Sequence, residues 1–269
     1  MKTAVIVTTY NRPDALAAVL AGFLDQTTLD FELLVADDGS RDDTRLLVES
    51  HVARAPFPLH HVWQEDRGFR PGAARNRAVA RTQADYLIFV DGDCIPARHF
   101  VQQHCMLAEP GYFLSGNRVL LSESFTHKVL ATPLPIQRWH MPRWLQAWAH
   151  RDVNRLLPLL KLPDGSLRKQ NPNKWKGIKT CNLSMWRTDF MRINGFDESY
   201  SGWGLEDSDL VIRSLHAGIH HKSARFAAPV FHLWHRENDR SRLDQNQRLL
   251  DEIIAAERFE ARVGVNQYS

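Results

Sequence analysis

The sequence predicts an α/β fold, in which a mostly parallel sheet is flanked by helices. Apolar runs alternate with amphipathic stretches through residues 1–95, the order typical of β-α-β units. Polar residues follow three of these runs directly, at 9–11, 37–38 and 91–93. Because the carboxyl ends of parallel strands share one edge of a sheet, we expect these residues along a single ligand-binding edge. A length of 269 residues is enough for one full core.

The elements of the first half follow from the spacing of the apolar residues. Val5–Thr8 is an apolar run of the length of a buried strand. A helix is expected from Pro13, because proline is favoured in a first turn, and its apolar face recurs every three or four residues from Leu16 to Leu24. The next elements are strands at 31–36, 59–63 and 86–90, and helices from about 43 and over 73–81.

The second half is less regular. Prolines in or beside residues 134–179 interrupt helices and central strands, although 145–160 can hold one or two short helices. Order resumes at Asn182. The expected elements that follow are a helix over 188–194 ended by Gly195, a helix ended by Gly218, a strand or loop at 230–235 and a helix from Leu243 to about Arg262.

The composition excludes several classes of protein. With 43% apolar and 10% aromatic residues and a net charge of only +3, the chain is not intrinsically disordered. No apolar run approaches the roughly 18 residues that span a bilayer, and the run at 4–7 is too short for a signal peptide. Three cysteines at no metal-ligand spacing, Cys94, Cys105 and Cys181, favour a reduced, cytoplasmic location.

The charge is distributed unevenly along the chain. Residues 134–179, here called the basic segment, contain ten Lys or Arg against two Asp, a net +8 that leaves −5 for the rest. Four of the eight tryptophans lie in it: Trp139, Trp144, Trp148 and Trp175. A solvated surface is one interpretation. A nucleic-acid partner is not expected, since no binding motif is recognisable, whereas cations beside tryptophans favour contact with an anionic membrane surface.

Two pairs of carboxylates follow predicted strands. Asp91 and Asp93 have the spacing to hold Mg²⁺ or Mn²⁺ against a diphosphate leaving group. Asp37 and Asp38 can accept hydrogen bonds from a uracil-like base or from ribose hydroxyls. Because Asp and Gly also favour turns, each pair alone is equally consistent with an ordinary strand-end turn.

Two further groups of residues could contact phosphate or metal. Arg75 lies near the start of the predicted helix at 73–81, where backbone amides can meet a phosphate or a base. Its surroundings match neither a dinucleotide-binding nor a P-loop motif, so those chemistries are poor fits. His232 and His235 can complete a metal site begun by the aspartates, since neutral imidazole suits Mn²⁺ better than Mg²⁺.

A Gly-Trp-Gly sequence precedes a helix start rich in carboxylates. Trp203, with Gly204 after it, can pack on the apolar face of a sugar. Glu206 and Asp207 can then accept a proton from a sugar hydroxyl. The alternative is simple capping, since acidic residues at a helix start are favoured by the helix dipole.

Taken in order, these motifs resemble the inverting nucleotide-sugar glycosyltransferases of the GT-A fold, of the family two type, which have a Rossmann-like sheet. The resemblance covers 1–120 and about 178–240. Residues 194–209 are similar to the carboxyl-terminal half of galactosyltransferase-type members, although Leu205 and Ser208 replace a Gly and an Asp of that pattern. The resemblance implies a single domain in three parts: a nucleotide-sugar-binding half at 1–120, a basic Trp/Pro-rich insertion at 121–179, and an acceptor and catalytic half with a C-terminal helix at 180–269.

The resemblance also implies a role for each candidate residue. Asp207 is the expected general base, and Glu206 would bind hydroxyls of the acceptor or donor. Asp93 is the main metal carboxylate, and His235 is preferred to His232 as its partner. The nucleotide would be bound by Thr8, Tyr10, Asp37, Asp38, Arg75 and Asp91, and the sugar by Trp203, Gly204 and Asn182.

The implied reaction transfers a hexose or N-acetylhexosamine from a nucleotide sugar, with UDP preferred by analogy, to a hydroxyl of a glycan or lipid-linked acceptor of the cell-surface polysaccharide or lipopolysaccharide type. A divalent metal would assist departure of the diphosphate, in the cytoplasm or at the inner face of the membrane. One alternative is a phosphatase of the haloacid-dehalogenase type with Asp91 as nucleophile, which is disfavoured because Ile95 and the three preceding strands do not match it. A non-catalytic sugar-binding module and a nucleotidyltransferase are the others.

Overall fold

A seven-stranded sheet forms the centre of the computed structural model, which describes residues 1–236 and 241–268. The strands of the described residues are β1 (Thr3–Thr9), β2 (Glu32–Asp37), β3 (Leu59–Trp63), β4 (Tyr86–Asp91), β5 (Cys94–Pro96), β6 (Tyr112–Ser115), β7 (Arg118–Leu120), β8 (Asn182–Trp186), β9 (His220–Ser223) and β10 (Val230–His232). The α-helices are α1 (Pro13–Leu24), α2 (Asp42–Val52), α3 (Pro71–Ala80), α4 (Phe100–Leu107), α5 (Glu123–Ala131), α6 (Met141–Ala149), α7 (Arg187–Arg192), α8 (Glu206–His216) and α9 (Leu243–Ala256). Residues 237–240, the end of the stretch compared with galactosyltransferases, lie outside the described residues.

The strand order is β3-β2-β1-β4-β8-β6-β9, and only β8 runs against the other six. The predicted mostly parallel sheet is therefore confirmed. After β3 the chain returns to the other side of β1, so the direction of winding reverses between β1 and β4. Thr8 pairs with Asp91 at this point. A crevice forms where the winding reverses, beyond the carboxyl ends of the two strands.

A second sheet of three strands, in the order β5-β10-β7, lies beside this edge. In it His232 pairs with Cys94, the residue directly after Asp93. The expected strand or loop at 230–235 is thus a strand followed by extended chain. This small sheet carries the late histidines back to the aspartates of β4, although more than 130 residues separate them in sequence.

The core has two layers because alternate residues of each central strand point to opposite faces. Val5 and Val7 face a layer that includes α1, α4, α5 and α6. Ala4 and Ile6 face the other layer, which is built on α3, α7 and α8. Burial of both faces explains why β1, β2 and β4 read as continuous apolar runs.

The basic segment does not form one unit on the surface. Its first part packs into the core layer of α1, where Ile136 and Trp144 are fully or almost fully buried. Its last part, from about 170, lies against the other layer, where Trp175 packs. Helix α6 begins before the expected 145–160, with Pro142 in its first turn. Among the described residues, no helix is both long and apolar enough to cross a bilayer.

Helix α9 ends at Ala256, six residues before the expected Arg262. The next residue, Glu257, has a left-handed backbone with φ of 48°. The sequence from 257 to 262 contains good helix formers, so local propensity favoured a longer helix. The chain instead turns back, and the Ala261 N–H donates to the Ile193 carbonyl at 3.0 Å. A tertiary contact therefore overrides the propensity.

The two halves of the chain are joined by the buried side chain of Asn76 on α3. Its Nδ2 donates to the Phe196 carbonyl and its Oδ1 accepts from the Phe196 N–H, both at 2.9 Å. The turn held in this way passes through Gly195, with φ of 66°, three residues after the end of α7. A Cβ on Gly195 would lie 2.5 Å from Asn76 Oδ1 and 2.8 Å from the Phe190 ring. Glycine is therefore required here both for its backbone angle and for space.

We expect Gly195→Ala to destabilise the fold by clearly more than the cost of the backbone angle alone, which is about 1 kcal/mol. Gly218→Ala is the matched control, because Gly218 also follows a helix at positive φ, 77°, but has no heavy atom within 4 Å of its added Cβ. Urea unfolding of both variants measures the difference. Equal losses in the two variants would contradict the steric argument.

Candidate active site

A cavity of about 510 Å³ opens at the crevice between β1 and β4. Twelve of the fourteen residues predicted from the sequence line it. They are Thr8, Tyr10, Asp38, Arg75, Asp91, Asp93, Trp203, Gly204, Glu206, Asp207, His232 and His235. The aspartates of β4 and the carboxylates of α8 thus lie in a single space, although they come from opposite halves of the chain.

Asp37 and Asn182 do not line this cavity. Asp37 is fully buried, with one oxygen accepting from the Ser40 N–H and the other 2.8 Å from His61 Nε2. Asn182 is held by hydrogen bonds to the Ala228 carbonyl, at 2.7 Å, and to His104, at 3.1 Å. Their polar atoms are occupied inside the protein, so the structure does not place these two predicted residues where they would contact a ligand in the cavity.

Of the predicted pair Asp37 and Asp38, only Asp38 lines the cavity. Its Oδ1 accepts from Gln64 Nε2 and its Oδ2 from the Arg70 N–H, both at 2.6 Å. Burial raises the pKa of Asp38 to about 6. Nearby, the Tyr10 hydroxyl donates to Asp66 at 2.9 Å and exposes much of its ring to the cavity. An aromatic face beside a fixed carboxylate is suited to a nucleobase.

Arg75 is the central cation of the site, and it is only 4% exposed. Its Nε donates to Thr8 Oγ1 and its Nη2 to Asp91 Oδ1, both at 2.9 Å. Its Nη1 lies 3.7 Å from Glu206 and 3.9 Å from Asp207, without a hydrogen-bond partner in the described structure. The guanidinium therefore lies between the strand-end aspartates and the carboxylates of α8.

The first turn of α8 places two carboxylates in the cavity. Leu205, at φ of 77°, turns the chain into the helix, and the hydroxyl of Thr180 donates to Asp207. Burial raises the pKa of Glu206 to about 7, and neighbouring Asp207 adds to this effect, while Arg75 and Lys179 oppose it. A carboxyl group with such a pKa can exchange protons near neutral pH. The helix start is therefore more than a capping arrangement.

Asp209, in the same turn, has a different role. It forms a buried ion pair with Arg213, at 2.6 Å, and Arg213 Nη1 donates to the Ile193 carbonyl. This pair lies away from the cavity and anchors α8 to the preceding helix. The acidic run from 206 to 209 thus divides into two cavity residues and one structural residue, a division that sequence spacing alone does not reveal.

The loop before α8 covers one side of the cavity. Gly202 and Gly204 both have positive φ, 72° and 104°, and flank Trp203, which lines the cavity. Asn246 of α9 holds the loop backbone by donating to the carbonyls of Ser201, at 3.2 Å, and Gly204, at 2.9 Å. The C-terminal helix therefore fixes the position of the loop that presents the tryptophan.

A group of metal-ligand side chains surrounds Asp93. Its Oδ2 lies 3.7 Å from His232 Nε2 and 3.4 Å from His235 Nε2. The potential ligand atoms of Asp93, Cys94 and His232 all lie within 4.8 Å of one another. The separations of 3.4 and 3.7 Å between Asp93 Oδ2 and the two imidazoles allow a shared cation about 2.1 Å from each atom. Burial lowers the pKa of His232, which keeps its imidazole neutral and able to bind metal.

Four cations at the cavity wall were not singled out from the sequence: Arg12, Arg118, Lys179 and Arg236. Arg118 belongs to β7, and its charge faces Asp91 and Asp93. The only sequence signal was the excess of cations in the basic segment, which includes Lys179. With these side chains the cavity contains both carboxylates for a metal and cations for a diphosphate.

The sheet order, the position of the crevice and the flanking helices are those of the GT-A fold. The chain belongs to glycosyl transferase family 2, which residues 4–157 match. Residues 166–236 match a second family, described as the N-terminal domain of galactosyltransferase. The predicted family and its galactosyltransferase-like second half are confirmed.

Among curated relatives, validoxylamine A glucosyltransferase of Streptomyces hygroscopicus subsp. jinggangensis is 32% identical over 79% of this chain and 51% of its own length. Hyaluronan synthase of Pasteurella multocida is 35% identical over 81% of this chain and 23% of its own length. The chain thus spans about half or less of these relatives.

Two solved structures share the fold. TarS 1–349 of S. aureus in complex with UDP has a TM-score of 0.63 at 16% identity, covering 100% of this chain and 68% of that one. Mannosyltransferase PcManGT of Pyrobaculum calidifontis, in complex with GDP-Man and Mn²⁺, has a TM-score of 0.62 at 19% identity, covering 94% and 63%.

Proposed function

We propose that this protein is an inverting glycosyltransferase that moves a hexose or N-acetylhexosamine from a UDP-sugar to a hydroxyl group. The observation that carries the proposal is the arrangement around Arg75. Its guanidinium contacts Asp91 on the donor side and lies within 4 Å of Glu206 and Asp207 on the other side. One cavity therefore combines carboxylates for metal and donor with a candidate base.

The donor would be held along the β1–β4 edge. Asp38 and Tyr10 are placed for the base and ribose, as Thr8, Arg75 and Asp91 are for the rest of the nucleotide sugar. The UDP bound to TarS supports uridine, while the GDP-Man bound to PcManGT makes guanosine the competing choice.

A divalent cation fits the residues around Asp93. Asp93 and one or both of His232 and His235 would hold it, and the imidazoles favour Mn²⁺ over Mg²⁺. When bound, it would neutralise charge that develops on the departing diphosphate. Arg118 and Arg236 would add direct hydrogen bonds to the phosphate oxygens.

Asp207 would act as the general base. The Thr180 hydroxyl fixes one carboxylate oxygen, and the cavity leaves access to an acceptor from the side of Trp203. An acceptor oxygen that loses its proton to Asp207 attacks the anomeric carbon opposite the diphosphate, so a single displacement inverts that centre. Glu206 and Trp203, with Gly204 beside it, would position the sugar hydroxyls and cover its apolar face.

The acceptor would be a glycan or a lipid-linked glycan of the cell-surface polysaccharide or lipopolysaccharide type, reached at the inner face of the membrane. One relative is named as a synthase of the polysaccharide hyaluronan, which supports a glycan acceptor. Another is named for glucosyl transfer with validoxylamine A, which supports an acceptor smaller than a polysaccharide. In this proposal residues 1–120 bind the donor, 121–179 form the insertion and 180–269 provide the acceptor side and the base.

Donor hydrolysis tests the proposal without knowledge of the acceptor. We expect slow release of UDP from one of a panel of UDP-, GDP- and TDP-sugars, stimulated by Mn²⁺ and abolished by chelation. Asp93→Asn should remove the metal stimulation, whereas Asp42→Asn, on the exposed start of α2, should leave it unchanged. Hydrolysis of a phosphate monoester would favour the phosphatase instead, and release of pyrophosphate would favour a nucleotidyltransferase.

A further inference from the structure

Large apolar side chains are exposed unusually often in one part of the chain. Nineteen such residues are exposed among the described ones, and seven lie between 141 and 167, a tenth of the sequence. Single exposed apolar residues are normal on a protein surface, but a concentration of them marks a site of interaction. This part of the chain lies outside the cavity of the candidate active site.

Helix α6 shows how the patch arises. Trp144 and Ala147 point into the core, while Met141, Leu145 and Trp148 are 38%, 50% and 52% exposed. The exposed residues recur at intervals of four and three, so they form one stripe along the outer face of the helix. Helix α6 is therefore apolar on its solvent side as well as on its core side. In the described structure its outer apolar side has no protein partner.

The chain after α6 adds further exposed apolar residues on the same side of the sheet. Leu156 and Leu159 pack against the same core layer as Trp144, and the alternate residues Leu157 and Leu160 are 65% and 49% exposed. Both stretches therefore cover the same side of the sheet. We call Met141, Leu145, Trp148, Leu157 and Leu160 the apolar face.

The charge around the apolar face is positive. Residues 134–162 contain Arg138, Arg143, Arg151, Arg155 and Lys161, against the single acid Asp152. Arg138 pairs with Asp25, at 2.7 Å. Arg143 and Arg151 are exposed, and the Arg143 guanidinium lies 6.0 Å from the centre of the Trp139 ring. Exposed apolar anchors in a stretch of net positive charge are complementary to a bilayer with anionic headgroups.

We propose that the apolar face docks the protein on the surface of an anionic phospholipid membrane. Fewer tryptophans contribute to the contact than the sequence implied, because Trp144 is buried and Trp139 packs against the core. Trp148, three leucines and a methionine provide the contact.

The buried side of α6 connects this surface to the candidate active site. Trp144 stacks on Phe231 with ring centroids 4.5 Å apart, directly before His232. Docking would therefore place the metal group one packing layer above the bilayer surface.

Sedimentation with vesicles tests the proposal on the full chain, using phosphatidylcholine alone and phosphatidylcholine with a quarter phosphatidylglycerol. We expect binding to the anionic vesicles only, and at least tenfold weaker binding for Leu145→Gln/Trp148→Gln. Arg143→Gln/Arg151→Gln should weaken binding roughly fivefold for each cation removed. Leu46→Gln, an exposed leucine on α2, is the matched control and should bind as the unchanged protein does.

Two outcomes would overturn the proposal. The first is equal sedimentation of the Leu145/Trp148 variant and the unchanged protein. The second is self-association in light scattering that the same variant abolishes, since a second copy would then cover the face. UDP release from the donor should be the same in all these variants, because none of the substituted residues lines the cavity. Loss of vesicle binding is thus distinguishable from failure of the proposed activity.

Discussion

Asp207→Asn is expected to reduce sugar transfer by about 10²–10⁴-fold, the usual contribution of a positioned general base. The amide keeps the size of the carboxylate and can still accept the hydrogen bond from Thr180, so the loop and helix α8 should remain in place. Binding of UDP with Mn²⁺ should therefore change little. Initial rates with a competent acceptor and calorimetry with UDP measure the two quantities separately.

Glu206→Gln tests whether Glu206, rather than Asp207, is the general base. Glu206 lies in the same helical turn and has a pKa of about 7, so it is the other group that could remove the proton. If Glu206 only binds hydroxyls, its loss should mainly raise the KM for a substrate. Near-normal turnover in Asp207→Asn combined with a large loss of kcat in Glu206→Gln would move the base to Glu206.

Arg75→Met is expected to destabilise the protein by about 3–5 kcal/mol at neutral pH, the typical cost of leaving buried charges without their partner. The buried guanidinium neutralises Asp91, Glu206 and Asp207 together. Arg45→Met is the control, because Arg45 is exposed and pairs with Asp42 and Glu49 at the surface, where solvent screening leaves ion pairs little effect on stability. Urea unfolding without metal or donor measures both losses.

The destabilisation should grow with pH. Arg75 counteracts the rise in the pKa of Glu206, so its removal raises that pKa further above the ordinary value of 4.5. A carboxyl group with a raised pKa in the folded state stabilises the fold below its unfolded pKa and loses that contribution as pH rises through the folded value. The gap between Arg75→Met and the unchanged protein should therefore widen from pH 5 to pH 8. A gap independent of pH would mean that lost packing, rather than charge, causes the instability.

Much of the first half could be predicted because β1, β2 and β4 are buried on both faces and α1 is buried on one. The resulting apolar patterns are long enough to read directly. Strands β5, β7 and β10 have three residues each, too few for any pattern, so the small sheet was not predicted beyond a strand or loop at 230–235. The position of His232 beside Asp93 depends on that sheet.

In the candidate site, the sequence likewise does not indicate which of two neighbouring polar residues reaches the cavity. Asp37 and Asp38 are neighbours at the end of a strand, where successive side chains point in opposite directions, so only one of them could enter the cavity. The sequence does not indicate which one. The resemblance to the glycosyltransferase family implies a sugar contact for Asn182. Its partners, His104 and Ala228, are distant in sequence and occupy its amide.

Helix α3, which belongs to the first half of the chain, is covered by residues of the second half, and this affects how the protein folds during synthesis. Helix α3 is buried along most of its length, and the groups that cover it include Phe196 and the fully buried Val265. A nascent chain that has reached residue 120 has made β1 to β4 but none of this cover. Its second core layer stays open until the ribosome has added about 145 more residues. We therefore expect the emerging first half to depend on chaperones, and to resist protease only after the residues up to Val265 have been added.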